Sequence, residues 1–360
     1  EIKQTENNMN HNKIITQALN ELTKSLLKLE KTTDIPQELD AVEGRRFLLR
    51  MLSASVDSFV EYIDPDRPQF RHSEGPHRKM FGDCPDADYL QAPIDLRNRR
   101  SYKVRGKTSE GTNYVGVMLY GRSGRIGVCL TDEQLEIDAD GRFEVLISAN
   151  PEDNPTLLGD GDEHLVMVRQ YFTDRNTQPP LELEVEFLGD VPEPKPLNSA
   201  WLAKRIELSR RMLESIFMRT LDAYRRISNF PKNTFVDVPV DLLFPTPDNT
   251  YKICWYELET HQMIIVSGIL PKARYFSFTF YNIWLESYDY TRHQVILNHD
   301  KIELNENGKF DICVGQQNNG YANWLDTAGH NSGYLVARSL LLEGNHPEFD
   351  VKVMEMTKPK

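Results

Sequence analysis

The segment RYFSFTFYN, residues 274–282, alternates phenylalanine with tyrosine, serine and threonine, and this alternation decides the fold that we predict. Successive residues of a β-strand point to opposite faces of the sheet. The three phenylalanines would therefore share one face, and the hydroxyl-bearing residues would share the other. Further segments alternate in the same way and are separated by turn residues. The pattern predicts antiparallel sheets packed face to face.

The strand-like segments occur twice, in the same order and at similar spacing. Gly106 and Tyr120 are 14 positions apart in the first half, and Gly268 and Tyr281 are 13 apart in the second. Each half also has an acidic or amide residue before glycine, Asp140-Gly141 and Asn307-Gly308, which is typical of a β-hairpin. We predict a mainly β chain with flanking helices, made of two jelly-roll-like antiparallel β-sandwich domains of related design. The matching segments are 113–121 with 274–282, 135–148 with 302–315, and 164–172 with 334–342.

Helical patterns flank the two β regions. Leucine and isoleucine recur at steps of three and four in residues 13–30, which predicts an amphipathic helix. Similar patterns predict helices over 38–62 and 198–228, the last after the stiff segment VPEPKP. The predicted organisation is a helical N-terminal region with a covering loop (1–80), a first β-sandwich (81–190), a linker and connecting helix (191–235), and a second β-sandwich (236–360).

The composition narrows the classes of partner. The net charge of −12 disfavours nucleic acid, because phosphate binding requires a concentrated positive surface. No apolar run approaches the roughly 20 residues of a membrane-spanning helix, so no membrane partner is expected. The first residues contain no apolar signal-peptide core, and the four cysteines form no C-x-x-C pair, which predicts reduced thiols in a cytoplasmic protein. A homo-oligomer stays open as an alternative.

The C-terminal region contains four motifs: FSFTFYN (276–282), NGKFDICVG (307–315), ANWLDTAG (322–329) and LVARSLL (335–341). Together they resemble a bacterial family known as domain of unknown function 1214. In the first half, NPTL (154–157) stands where the Asn-Trp-Leu of the family is expected, so the match there is looser. The resemblance implies a β-sandwich fold and no established activity.

The second half is six residues longer than the first between its core strand and its glycine turn. The extra residues fall in IWLESYDYTRHQVILNH (283–299), which interleaves aromatic rings with charged side chains. Such rings suit stacking on a sugar or an apolar ligand, and the alternative is that they cap the sandwich or bury a dimer contact. We predict a soluble protein that binds a glycan or an amphipathic small molecule through its second β domain. The predicted ligand-binding residues are Tyr281, Trp284, Tyr288, Asn323, Trp324 and Arg338.

Arg338 and Arg169 occupy matching positions in the two halves. An arginine in an otherwise apolar strand needs a carbonyl or an anionic partner if it is buried. The recurrence favours a structural contact with the carbonyl groups of a turn. The alternative is an anion site for the carboxylate or phosphate of a substrate.

An enzyme is the alternative function, namely a hydrolase, lyase or cyclase of carbohydrate or natural-product metabolism. Its catalytic residues would be Glu286, Asp289 and His293, and Arg338 would stabilise negative charge. The chain has neither a P-loop nor a G-x-S-x-G elbow, which disfavours the common nucleotide enzymes and serine hydrolases. The histidines of the second half lack a recognisable ligand spacing, so we predict no metal and no cofactor.

Overall fold

The described part of the chain forms two β-sandwiches and three α-helices. The structure is a computed structural model. It describes residues 2–61, 63–109, 111–122, 126–238, 246–318 and 320–356, with side chains from residue 12 onward. The helices are α1 (Ile2–Glu30), α2 (Glu38–Phe59) and α3 (Ser199–Ile227). The first sandwich contains β1 (Arg71–Glu74), β2 (Ala87–Pro93), β3 (Ser101–Lys107), β4 (Tyr114–Gly121), β5 (Ile126–Thr131), β6 (Arg142–Ser148), β7 (Leu157–Leu158), β8 (Glu163–Tyr171) and β9 (Glu182–Phe187). The second contains β10 (Phe235–Asp237), β11 (Asn249–Glu257), β12 (Gln262–Gly268), β13 (Tyr275–Tyr281), β14 (Ile296–Asn298), β15 (Phe310–Gly315), β16 (Asn323–Asp326), β17 (Ser332–Leu340) and β18 (Asp350–Glu355).

The two sandwiches have the same strand order. Each has a five-stranded sheet, here called the large sheet, which runs β1-β2-β8-β4-β5 in the first copy and β10-β11-β17-β13-β14 in the second. Each also has a four-stranded sheet, which runs β7-β6-β3-β9 and β16-β15-β12-β18. Every strand of one sandwich therefore has a counterpart at the same place in the other. The prediction of a mainly β chain with two sandwiches of related design is confirmed.

Three details of that prediction are wrong. The sheets are not purely antiparallel, because β6 pairs with β7, and β15 with β16, in parallel. The glycine turns exist in both copies, where the backbones of Asp138 and Asn305 bond to those of Arg142 and Lys309. However, these turns do not join paired strands, since β5 and β6 belong to different sheets. The first sandwich also begins at β1, within the region 1–80 that was assigned to helices and a covering loop.

The aromatic strand β13 is buried on both of its faces. Its phenylalanines pack in the interior of the second sandwich, where they contact Phe310 and Phe349. On the opposite face, the ring of Tyr275 lies 5.1 Å from the ring of Tyr171 in the first sandwich. Tyr281 on that face packs with residues of α2 and α3. The alternation in RYFSFTFYN thus separates two buried environments, and neither face is exposed to solvent.

The three helices pack on each other and cover the large sheet of the second sandwich. Helix α3 begins after Asn198, whose side-chain oxygen accepts a hydrogen bond from the backbone N–H of Trp201 at 2.9 Å. This contact satisfies one of the free N–H groups at the helix start. None of the helices in the described part of the chain is long and apolar enough to cross a membrane.

Candidate functional site

A cavity of about 790 Å³ lies between the two large sheets. Strands β2, β4 and β8 form its wall in the first sandwich, and β11 and β17 form the facing wall. Helix α3 closes one side through residues that recur every three or four positions, which is the spacing of one helical face. They are Arg205, Leu208, Met212, Ile216 and Arg219. The segment 78–83, at the boundary between the predicted covering loop and the predicted first β-sandwich, completes the lining.

The two walls of the cavity carry corresponding residues. Arg169 on β8 lies opposite Tyr89 on the neighbouring β2. Arg338 on β17 lies opposite Tyr251 on β11 in the same way. All four of these residues line the cavity, and so do Tyr120 and Tyr281 near the ends of β4 and β13. The cavity is therefore formed where the two copies of the repeat face each other.

Arg169 is buried in an ion pair. Its side chain is 2% exposed, and its guanidinium donates to Asp248 at 2.6 Å and to the hydroxyl of Thr246 at 3.1 Å. Burial alone would raise the pKa of Asp248, but the adjacent guanidinium lowers it below the ordinary value. Asp248 also accepts a hydrogen bond from Tyr114. The positive charge of Arg169 in the first sandwich is thus neutralised by the carboxylate of Asp248.

Arg338, the counterpart of Arg169, has no carboxylate partner within the described residues. It is 5% exposed and donates to the carbonyl oxygen of Gly82 at 2.7 Å. Its other contacts are phenol oxygens, among them those of Tyr251 and Tyr281, each at 3.3 Å. Its Nε has no hydrogen-bond partner in the part of the chain that the structure describes. A buried guanidinium that meets only neutral acceptors is suited to bind an anion.

The carboxylate that would complete the symmetry is engaged elsewhere. Asp86 directly precedes β2, just as Asp248 directly precedes β11. Asp86 accepts hydrogen bonds from the hydroxyl of Tyr275 at 2.9 Å and from the amide of Asn298 at 2.8 Å. No ion pair joins Asp86 to Arg338 among the described residues. The two sandwiches therefore share a framework, but within the described residues Arg169 is paired with a carboxylate and Arg338 is not.

More arginines than carboxylates line the cavity, although the whole protein carries a net charge of −12. Eight arginines and three carboxylates line it, counted over the described residues. Several of these arginines are paired, since Arg71 and Arg78 contact Asp57, and Arg97 and Arg122 contact Asp95. A cleft that is lined by charges of one sign and has low-dielectric walls raises the local concentration of ions of the opposite sign. The cavity would attract anions.

Glu74 is a titratable group at the cavity wall. Burial raises its pKa to about 7 from the ordinary value of 4.5. His164, which also lines the cavity, has its pKa lowered by burial, and its Nδ1 has no hydrogen-bond partner within the described residues. A carboxyl group with a pKa near neutrality can donate or accept a proton at physiological pH.

Replacing Glu74 by glutamine is expected to change how stability depends on pH. In wild type, the unfolded chain releases the proton of Glu74 near pH 4.5, whereas the folded chain keeps it until about pH 7. The stability contribution of this group is therefore present at low pH and is lost as pH rises through that window. Relative to wild type, Glu74→Gln should gain up to about 3 kcal/mol between pH 4.5 and 7. Urea unfolding at several pH values measures this difference. The exposed Glu136→Gln is the control, and parallel curves for Glu74→Gln and wild type would contradict the prediction.

The structure separates the residues that the sequence predicted to bind ligand. Tyr281 and Arg338 line the cavity. Trp284 is 1% exposed and packs between Phe47 of α2 and Phe217 of α3. The other three also make contacts within the protein, and none of them lines the cavity. They are Tyr288, which stacks on His330; Asn323, which bonds to backbone carbonyl groups; and Trp324, which donates to the carbonyl of Gly315.

The structure does not bring the predicted catalytic residues together in a cavity. Glu286 is 0% exposed and forms ion pairs with Arg46 and Arg50 of α2. Asp289 binds the hydroxyl and backbone of Thr291, which lowers its pKa. His293 lies at the surface, where its Nδ1 is 2.8 Å from Asp326. The loop 282–295 therefore anchors the helices to the second sandwich, and the cavity touches it only at Leu285.

Sequence reasoning missed most of the cavity. Tyr89, Tyr120, Tyr251, Glu74 and Asp248 were not singled out as site residues, although Tyr120 and Arg169 were recognised as repeat positions. The signal that could have found them is the repeat itself. Residues that match Tyr281 and Arg338 in the first half face them across the cavity. Nothing in the sequence shows that the two large sheets meet, and that contact creates the site.

Comparisons with known proteins agree on the fold. The chain is similar to an uncharacterised protein from Burkholderia cenocepacia whose crystal structure aligns with a TM-score of 0.86 at 24% identity, over 96% of this chain and 99% of that one. It also resembles the VPA0106 protein from Vibrio parahaemolyticus, with a TM-score of 0.52 at 11% identity, over 86% of this chain and 97% of that one. No protein-family model and no curated protein matches the sequence. At these identities the similarity establishes the two-sandwich architecture alone.

Proposed function

We propose that this protein binds a small amphipathic organic anion in the cavity between its two large sheets. The observation that carries the proposal is Arg338, a buried guanidinium whose acceptors among the described residues are all neutral. A carboxylate or phosphate group can accept two parallel hydrogen bonds from a guanidinium, which none of its present partners does. The ligand would thus complete in the second copy the ion pair that Asp248 supplies to Arg169 in the first.

The size and lining of the cavity support a ligand with an apolar body. A volume of about 790 Å³ falls in the range of pockets for small molecules. Apolar side chains from α2, α3 and β17 line the same cavity as Arg338, among them Phe59, Met212 and Val336. This combination favours an amphipathic anion over a neutral glycan, because Trp284 and Tyr288 contact the protein instead of offering stacking surfaces.

Replacing Arg338 by methionine tests the proposal. The probes are dodecanoate, dodecyl phosphate and dodecanol, and isothermal titration calorimetry measures their affinities. Wild type should bind both anions more tightly than the alcohol, and Arg338→Met should weaken the anions by about 2 kcal/mol or more, roughly 30-fold. Binding of dodecanol should be unchanged.

Arg97→Met is the matched control, since Arg97 also lines the cavity but pairs with Asp95 and is 60% exposed. It should change the affinity for either anion by less than about threefold. Equal affinities of wild type and Arg338→Met for the anions would contradict the proposal. Binding of a neutral oligosaccharide that tolerates Arg338→Met would favour the glycan hypothesis instead.

An enzyme that acts on such an anion is the second candidate function. Glu74 favours it, because a carboxyl group with a pKa of about 7 lines the same cavity as Arg338. Glu74 would transfer a proton to or from a ligand that Arg338 orients. For any anion that the wild-type protein converts, Glu74→Gln should abolish turnover and leave affinity within about threefold. Undiminished turnover would exclude this role for Glu74.

We also propose a family and a cellular location for the protein, both from its sequence. Membership of the family called domain of unknown function 1214 is supported by the C-terminal motifs, including NGKFDICVG and ANWLDTAG. A cytoplasmic location is supported by Cys84, Cys129 and Cys254, which are free thiols in the described structure.

A further inference from the structure

A second cluster of titratable side chains lies outside the cavity, where α2 meets the second sandwich. Asp40 and Glu43 of α2 and His330 of the loop before β17 each offer one ligand atom, and these atoms lie within 4.8 Å of one another. All three residues are buried. We propose that they bind a divalent transition-metal ion, with zinc as the expected occupant.

His330 is oriented as a metal ligand would be. Its Nδ1 lies 3.1 Å from the carbonyl oxygen of Thr327, and since that oxygen only accepts, Nδ1 must donate. Nε2 lies 2.9 Å from a carboxylate oxygen of Glu43, which also only accepts, so without an ion Nε2 donates to that oxygen, and a metal ion would replace the bridging proton. The ring of Tyr288 stacks on the imidazole at 4.1 Å and fixes its plane. A hydrogen bond from the distal nitrogen to a carbonyl group is the usual support of a metal-bound histidine.

Asp40 provides an independent observation. It is 6% exposed, and its Oδ1 has no hydrogen-bond partner among the residues that the structure describes. A buried carboxylate oxygen without a partner is unfavourable, and a cation would satisfy it. Asp40 and Glu43 are three residues apart on α2, so both carboxylates lie on the same face of the helix. Both can therefore reach an ion beside His330.

The nearby arginine side chains do not occupy the position of the proposed metal ion. Arg46 binds the other oxygen of Glu43 and also Glu286, and Arg50 binds Glu286. One imidazole and two carboxylates form a donor set that suits zinc, manganese or ferrous iron better than calcium or magnesium, which prefer oxygen ligands alone. A bound ion would tie the first turn of α2 to the loop at 327–330. This inference does not depend on the ligand proposed for the cavity.

Metal binding to the full chain tests the inference. Chelator-treated protein is titrated with zinc chloride, and with magnesium and calcium chloride in separate arms, and bound metal is counted by mass spectrometry after desalting. One zinc ion per chain is expected, with magnesium and calcium bound at least about 100-fold more weakly. Asp40→Asn and His330→Gln should each weaken zinc binding at least about tenfold.

His293→Gln is the matched control, because His293 is an exposed histidine that also faces a carboxylate. It should leave zinc affinity unchanged. Circular dichroism of each variant shows whether it is folded, and Asp40→Asn keeps the shape of the native side chain. The absence of zinc from wild type would overturn the inference and would mean that a second proton on His330 bridges it to Glu43. Zinc binding that folded Asp40→Asn and His330→Gln retain would overturn it as well.

Discussion

Replacing Arg169 by methionine is expected to lower the free energy of unfolding by about 3–5 kcal/mol, the typical cost of removing one member of a buried ion pair. The variant leaves the carboxylate of Asp248, 2% exposed in the native protein, without the guanidinium that stabilises its charge. Its remaining donors would include Tyr114 and Asn249. Urea unfolding followed by circular dichroism measures the loss.

Two further variants identify the cause of that loss. Arg169→Met combined with Asp248→Asn should recover most of the stability, because it removes the unpaired charge as well. Arg338→Met should change stability by less than about 1 kcal/mol, or increase it, because no carboxylate depends on Arg338 in the described structure. Equal losses for Arg169→Met and Arg338→Met would show that the two arginines have the same structural role. In that case the argument for an anion site at Arg338 would fail.

The architecture could be predicted from the sequence because it depends on local patterns. Alternation in segments such as RYFSFTFYN marks strands, and steps of three and four mark helices. The duplication supplies a second, independent copy of each pattern, which is why the relationship of the two sandwiches was clear before the structure. The hairpin assignment at Asp140-Gly141 failed because the turn itself is local, whereas the sheet that each flanking segment joins is determined by distant pairing.

The site could be predicted only in part because it depends on contacts between distant segments. Tyr281 and Arg338 were identified from the residues next to them in the sequence, but Asp248 contacts Arg169 across 79 positions of sequence. Trp284 in the loop 282–295 suggested a ligand surface, yet α2 covers its ring, and the sequence of the charged helix that begins at Glu38 gives no sign of this contact. Likewise, Glu43 meets His330 across 287 positions, so no ligand spacing was recognisable.

Replacing Trp284 by alanine is expected to lower the free energy of unfolding by about 3–5 kcal/mol, as for other large aromatic residues in cores. Its ring lies 5.9 Å from that of Phe47 and 5.5 Å from that of Phe217, so it joins both helices to the second sandwich. Its indole N–H donates to the carbonyl oxygen of Asp40 at 2.8 Å. The half-buried Trp324 is the control, and its replacement by alanine should cost less than about 2 kcal/mol.

Gly44 allows a test of the same contact from the helix. A Cβ at this position would lie 2.4 Å from a ring carbon of Trp284, so Gly44→Ala should destabilise the protein by about 1–3 kcal/mol. In the double variant with Trp284→Ala the ring is gone, and the added methyl group should cost little or nothing. A double-mutant cycle therefore should give strongly non-additive losses. Additive losses would show that the ring and the helix are not in contact, and the predicted ligand surface at Trp284 would again be open to test.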